Sequence, residues 1–144
     1  MRKLSLIYAL VSMLYTTIAI MVFLYIVKNP TITDLGLFLA SPLGLFPIIC
    51  TFFSGYVSFL LKIPSWLLGL VHFVFAHILV WVCYFLIFAL FKYSEMYAVP
   101  QRIFKSLNES TDMIQFSLIG GVWIFPGFVL LGYFLKRKLL PSKI

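Results

Sequence analysis

The chain has 144 residues, of which 63% are hydrophobic and only 10% charged, and its mean hydropathy is +1.11. Soluble domains carry charge on about a quarter of their residues, so this composition excludes an aqueous enzyme or nucleic-acid-binding domain and requires lipid as the solvent. The net charge of +7 and the pI of 9.6 then read as membrane orientation and attraction to anionic headgroups, with no nucleic-acid partner.

Four apolar runs fill most of the chain, each close to the roughly 20 residues that cross a hydrocarbon core as a helix. The fold this predicts is all-α: one integral membrane domain over 1–144, with four transmembrane helices in an antiparallel bundle. The first run, Leu4 to Val27, follows Met1-Arg2-Lys3. It is too long for a signal peptide and lacks a small-residue cleavage pattern before Lys28, so it reads as a retained span. Ser5, Ala9, Ser12, Thr16 and Ala19 form a small-residue stripe along it.

The second run covers Leu35 to Leu61. Within it Ser41-Pro42 has the form of an N-cap followed by proline at the first helical position, which starts the crossing helix at 42 and leaves Leu35 to Ala40 as a short interfacial or re-entrant piece. Pro47 predicts a bend. After Ile63-Pro64 the third run extends from Trp66 to Phe91, and the two runs carry matching stripes: Gly44, Ile48, Thr51, Gly55 and Ser58 on one, Gly69, His72, Ala76, Leu79 and Cys83 on the other. Folded about the turn, Ser58 meets Gly69, Gly55 meets His72, Thr51 meets Ala76, Ile48 meets Leu79 and Gly44 meets Cys83. Small residues let helices approach closely in lipid, and the 4-3 spacing suits crossing at about 20 degrees, so these spans are expected to form a tight hairpin.

Between Lys92 and Asp112 the chain leaves the apolar phase. Pro100 to Leu107 predicts a short amphipathic helix with Ile103, Phe104 and Leu107 toward lipid, and with Gln101, Arg102, Lys105 and Asn108 toward water. Arg102, Phe104 and Lys105 are its candidate partner surface. Asp112 is placed to cap the fourth span, Met113 to Leu135, in which Pro126-Gly127 predicts a kink by displacing the hydrogen bond to the Val122 carbonyl. Ser117, Gly120 and Gly127 lie on one side of this span, making it the expected neighbour of the first.

An even number of spans puts both termini on one side, together with Arg2, Lys3, Lys62, Lys136, Arg137, Lys138 and Lys143. Lys28, Lys92, Arg102 and Lys105 fall on the other side with all four acids, Asp34, Glu95, Glu109 and Asp112. The basic excess predicts cytoplasmic termini in a bacterial cytoplasmic membrane.

His72 and His77 are the intramembrane groups that titrate near neutral pH, and an ionisable residue at such depth is a functional candidate. Five positions put them about 140 degrees apart on a helix, so they do not form a same-face metal pair. For both histidines a structural role is favoured, and for His72, opposite Gly55, a neutral imidazole can bond a carbonyl, Ser58 or Thr51. Cys50 and Cys83 form no Cys-x-x-Cys motif, and their depths differ by about 9 Å at 1.5 Å per residue, which predicts separate buried thiols. No cofactor, metal or catalytic constellation is expected.

The plan of four short-looped spans, inward termini and a basic tail resembles that of some colicin immunity proteins. The likeness is one of plan, and no functional residue is carried over from it. It implies a non-enzymatic protein that recognises another membrane protein or a membrane-inserted toxin through helix faces and the outer loop, in the manner of an immunity protein or an accessory subunit. A competing class is an oligomeric transporter, channel or holin lined by Ser, Thr, His and Gly, assembled from copies of this chain. A third is a haem- or quinone-linked anchor using His72 or His77.

Overall fold

The computed structural model describes residues 2–28, 31–61, 63–93, 96–121 and 124–139. Six α-helices follow one another: α1 (Arg2–Lys28), α2 (Ile32–Ala40), α3 (Pro42–Leu60), α4 (Ser65–Ile87), α5 (Val99–Gly121) and α6 (Phe125–Leu139). One π-helical turn, Phe88–Lys92, extends α4, and there is no strand among the described residues. Among the described residues three helical stretches, Arg2–Ile26, Pro42–Leu60 and Ser65–Lys92, are long and apolar enough to cross a membrane. Their outward faces carry exposed Leu14, Ile18, Val22, Phe53, Val74, Ile78 and Leu86. Contiguous apolar surface on this scale is unstable in water and needs hydrocarbon around it.

Local chemistry sets the helix ends. Thr31 begins α2 with a capping box, accepting the Asp34 N–H at 3.2 Å while Asp34 accepts the Thr31 N–H at 3.1 Å. Ser41 then caps α3, its Oγ accepting the Gly44 N–H at 3.4 Å, and Pro42 occupies the first helical position. Inside α3, Pro47 has no N–H to give the Leu43 carbonyl four residues back. The Tyr84 hydroxyl of α4 donates to that carbonyl instead, at 2.7 Å. A proline defect in one helix thus becomes a polar tie to its neighbour, the kind of repair that lipid demands.

The core is a polar seam inside apolar walls. Ser5, Ala9, Ser12 and Thr16 are buried on α1, as are Gly44, Thr51, Gly55 and Ser58 on α3 and Gly69, His72 and Ala76 on α4. Helix α1 packs chiefly on α3 rather than on the fourth apolar run. A Cβ built on Gly55 comes within 3.4 Å of the Ala9 Cα and 3.1 Å of the His72 ring, so three helices converge at one glycine. Gly127 of α6 does face α1, at the Tyr15 ring. Ser117 and Gly120, the other residues expected there, lie outside the described side chains.

Several expected details differ. Gly69 also meets Val129 of α6, because the α4 stripe is shared between α3 on one flank and α6 on the other. Cys50 and Cys83 are free thiols with sulfurs 3.7 Å apart. Helical side chains lean toward their own N-termini, so in this antiparallel pair the two lean toward each other and close the depth gap between their backbones. The short helix expected over 100–107 is the beginning of α5, which continues to Gly121, so Asp112 lies inside a helix and not at a cap. The fourth apolar run holds the end of α5, described to Gly121, and α6 from Phe125, with Pro126 in the first turn of α6, where a missing N–H costs little. Val122, whose carbonyl Pro126 was expected to free, lies outside the described residues.

Together α5 and α6 follow α4 along its whole length, antiparallel to it. Glu109 lies beside Lys92 at one end, Phe125 beside Phe73 further along, and Val129 against Gly69 beyond that. At the other end the Lys136 ammonium donates to the Leu61 and Ile63 carbonyls at 3.1 and 2.7 Å, closing the C-terminus of α3.

Candidate functional site

His72 is fully buried where α1, α3, α4 and α6 meet. Its Nε2 lies 3.0 Å from the Thr51 carbonyl, which can only accept, so Nε2 carries the hydrogen and Nδ1 is left to accept from the Tyr8 hydroxyl at 2.8 Å. The ring stacks on Phe128 at 4.1 Å between centroids. Both nitrogens and one face are therefore occupied by the protein's own groups, and the ring is fully buried. Tyr8 is equally enclosed, against Phe59 and Leu68. The arrangement suits a neutral imidazole that locks helices together, and offers no open position for a ligand.

His77 is placed differently. Its Nδ1–H donates to the Phe73 carbonyl one turn back at 2.8 Å, which leaves Nε2 with a lone pair. The half-buried ring lines a cleft of about 500 Å³ between the C-terminal half of α1 and the α5–α6 pair, floored by α3 and α4. Apolar groups such as Phe23, Phe38, Val80 and Phe128 make most of the wall, and Thr16, Thr51, Tyr84 and Asp112 are among its lining residues. Among the described residues no group of three His, Cys, Asp or Glu side chains gathers as a metal set.

At the Lys92 end a second polar cluster pins α5 to α4. The Lys92 ammonium donates to both Glu109 carboxylate oxygens, at 2.8 and 2.6 Å, and the Tyr93 hydroxyl donates to Oε1. The π turn delivers Tyr93 to this position, with its N–H bonded to the Phe88 carbonyl five residues back. Lys105 donates to the Tyr97 hydroxyl at 2.7 Å and lies 4.2 Å from the centre of that ring. Of the three candidate partner residues, Lys105 is exposed and Phe104 is 64% exposed, whereas Arg102 is half-buried and directed to the Tyr97 carbonyl. The chain matches no family model, no curated protein and no solved structure. Its functional reading therefore rests on its own residues.

Tyr8 and Thr16 were not among the residues singled out for the histidine network and the cleft. A tyrosine inside an apolar run looks like an interfacial ring, and its partner His72 is sixty-four positions away. Glu109 had one local signal: an acid following an aromatic-basic pair across a short loop.

Partial burial alone would raise the Glu109 carboxyl, but the hydrogen bonds from Lys92 and Tyr93 and the charges of Lys92 and Lys105 outweigh it and hold the group below its ordinary 4.5. A depressed folded value means that its contribution is complete above the unfolded pKa and is lost as pH falls through the folded one. The pair is half exposed, so the effect is about 1 kcal/mol or less. Amide protection over 99–109, taken relative to the intrinsic exchange rate at each pH, is accordingly expected to be complete at neutral pH and to fall as the carboxylate is protonated on the acid side. Glu109→Gln should show the lower protection already at neutral pH, and an unchanged acid limb in this variant would remove Glu109 as its cause.

Proposed function

We propose that the chain is a four-span membrane protein with both termini in the cytoplasm, acting by contact with another membrane-embedded protein and not by catalysis. The most specific version is protection of a bacterial cytoplasmic membrane against a pore-forming toxin. An accessory subunit of a membrane complex uses the same surface. The observation that carries the reading is the pinned start of α5, where Phe104 and Lys105 stand exposed on a helix held to α4 by Lys92, Tyr93 and Glu109. An aromatic and a cation presented on an immobilised element lose little entropy on binding, which is what a recognition surface needs. His72 supports the same reading from the opposite side, because its hydrogen-bonding capacity is used up internally. The fourth crossing is assigned to α5 and α6 together, since they accompany α4 from Lys92 to the Leu61–Ile63 turn.

Expression is expected to protect cells against one cognate pore-forming toxin and not against unrelated ones. Phe104→Ala and Lys105→Glu should remove protection at unchanged protein level, while His77→Gln retains it. Loss in His77→Gln with both surface variants active would overturn the contact reading. For the topology, a reporter active only outside the cytoplasm should be silent when fused after Lys138 and active when placed at Asn108.

A further inference from the structure

Cys50 of α3 and Cys83 of α4 are free thiols whose sulfurs lie 3.7 Å apart. Among the described residues, the polar contact of each sulfur is the other sulfur. Phe46, Leu79, Val80, Tyr84 and Phe88 belong to the same cluster, and the Tyr84 hydroxyl is committed to the Leu43 carbonyl. Cys50 is buried, while Cys83 is only half-buried and so within reach of a solute dissolved in the surrounding lipid. Neither residue lines the cleft beside His77. Two soft donors from different helices therefore converge among apolar and aromatic groups.

Their separation decides what can join them. A disulfide holds its sulfurs at about 2.05 Å, so the pair would have to close by about 1.6 Å. A single bridging atom at about 2.3 Å from each sulfur, the length of a zinc–thiolate bond, spans the observed 3.7 Å with an angle of about 107°. A linear two-coordinate ion at the same bond length would need about 4.6 Å between sulfurs. Zinc has the right angle but takes four ligands, and among the described residues no third His, Cys, Asp or Glu side chain joins the pair. A copper(I) bis-thiolate suits the sulfurs but is an anion, which is costly where the neighbours are apolar or aromatic. What fits both the angle and the surroundings is a bent, trivalent centre that enters and stays neutral.

We propose that Cys50 and Cys83 form a dithiol site for a neutral trivalent hydroxide of arsenic or antimony. Two bonds from the central atom to sulfur form and two of its bonds to oxygen break. Each thiol hydrogen leaves with a hydroxide as water, and the third hydroxide stays on the centre. No electron is transferred and no net charge is created, so the exchange avoids burying an ion. The bridged atom ties α3 to α4, and the site is independent of the partner surface on α5.

Full-length reduced protein in phosphatidylcholine liposomes, incubated with arsenite at neutral pH and freed of excess by gel filtration, tests the assignment. One arsenic per chain is expected to be retained, and X-ray absorption should find two sulfurs and one oxygen on it. Cys50→Ala and Cys83→Ala each leave one sulfur and should weaken retention by about tenfold or more, since the second bond no longer forms within one chain. If Cys50→Ala does not fold, Cys83→Ala at the half-buried position decides by itself. A dithiol competitor should strip the arsenic, and a monothiol at equal thiol concentration should not. Failure to retain arsenic, a single sulfur on the bound atom, or equal retention by the single-cysteine variants would overturn the site and leave two packed thiols. So would a disulfide formed with a lipid-dissolved quinone in protein that takes up no arsenite, which would assign the pair to redox chemistry. No toxin is present in any arm, so these outcomes bear on the dithiol and not on the contact reading.

Discussion

Gly69→Ala is expected to lower the stability of the bundle by about 3 kcal/mol, near the upper end for adding a single methyl to a packed interior. A Cβ built at Gly69 lies 2.5 Å from the Val129 Cα, 2.6 Å from its backbone nitrogen and 2.8 Å from Cγ2. Two of those atoms are backbone and have no rotamer to move to, so α4 and α6 must separate. Gly55→Ala should cost less, because its new methyl meets the His72 ring at 3.1 Å and the Ala9 Cα at 3.4 Å, where shifts of a few tenths of an ångström suffice. Gly36 supplies the control: nothing lies within 4 Å of its Cβ position, and Gly36→Ala should be neutral or stabilising by up to about 1 kcal/mol through helix propensity. Thermal unfolding in mild detergent, followed by circular dichroism, orders the three. A Gly69→Ala midpoint equal to that of Gly36→Ala would remove the close approach of α4 to α6.

That ordering also marks how far the sequence could be read. Lipid allows few polar groups and requires every backbone bond to be made within a helix, so long apolar runs announce helices, and the first three stand where hydropathy places them. The small-residue stripes were legible for the same reason, and Ser5, Ala9, Ser12 and Thr16 form one buried face of α1. A stripe says that something packs closely against it. It does not say what. Spacing alone therefore did not announce Val129 against Gly69, and α1 suited the fourth run as well as α3.

The detail of the fourth run was harder to read, because averaging over a span conceals punctuation. Gly120-Gly121 followed by Pro126 is a break signal that hydropathy does not register. Conversely, Asp112 before an apolar run imitates a cap, yet α5 was already helical from Val99. The cleft was beyond sequence reasoning altogether. It depends on the space left between α1 and the α5–α6 pair, which leaves no trace in residue order.

His72→Ala is expected to cost about 3–5 kcal/mol, combining the void left by a fully enclosed ring with a Tyr8 hydroxyl that loses its acceptor. Tyr8→Phe tests the hydrogen bond without the void. It keeps the volume and leaves Nδ1 bare beside an apolar wall, for a loss of about 1–3 kcal/mol. In His72→Leu, most of the volume returns while the tyrosine hydroxyl becomes the orphan, so adding Tyr8→Phe to His72→Leu should recover part of the loss. The double variant is then more stable than the two single losses predict, by a coupling of about 0.5–3 kcal/mol. His77→Gln is the counterpart. Half-buried and bonded only to the Phe73 carbonyl within its own helix, His77 should change stability by less than about 1 kcal/mol when replaced. Unfolding midpoints for these five proteins separate a packing histidine from one on the cleft wall. Additive losses at Tyr8 and His72 would break the proposed tie, and an equal penalty at His77 would move that ring from the cleft wall into the core.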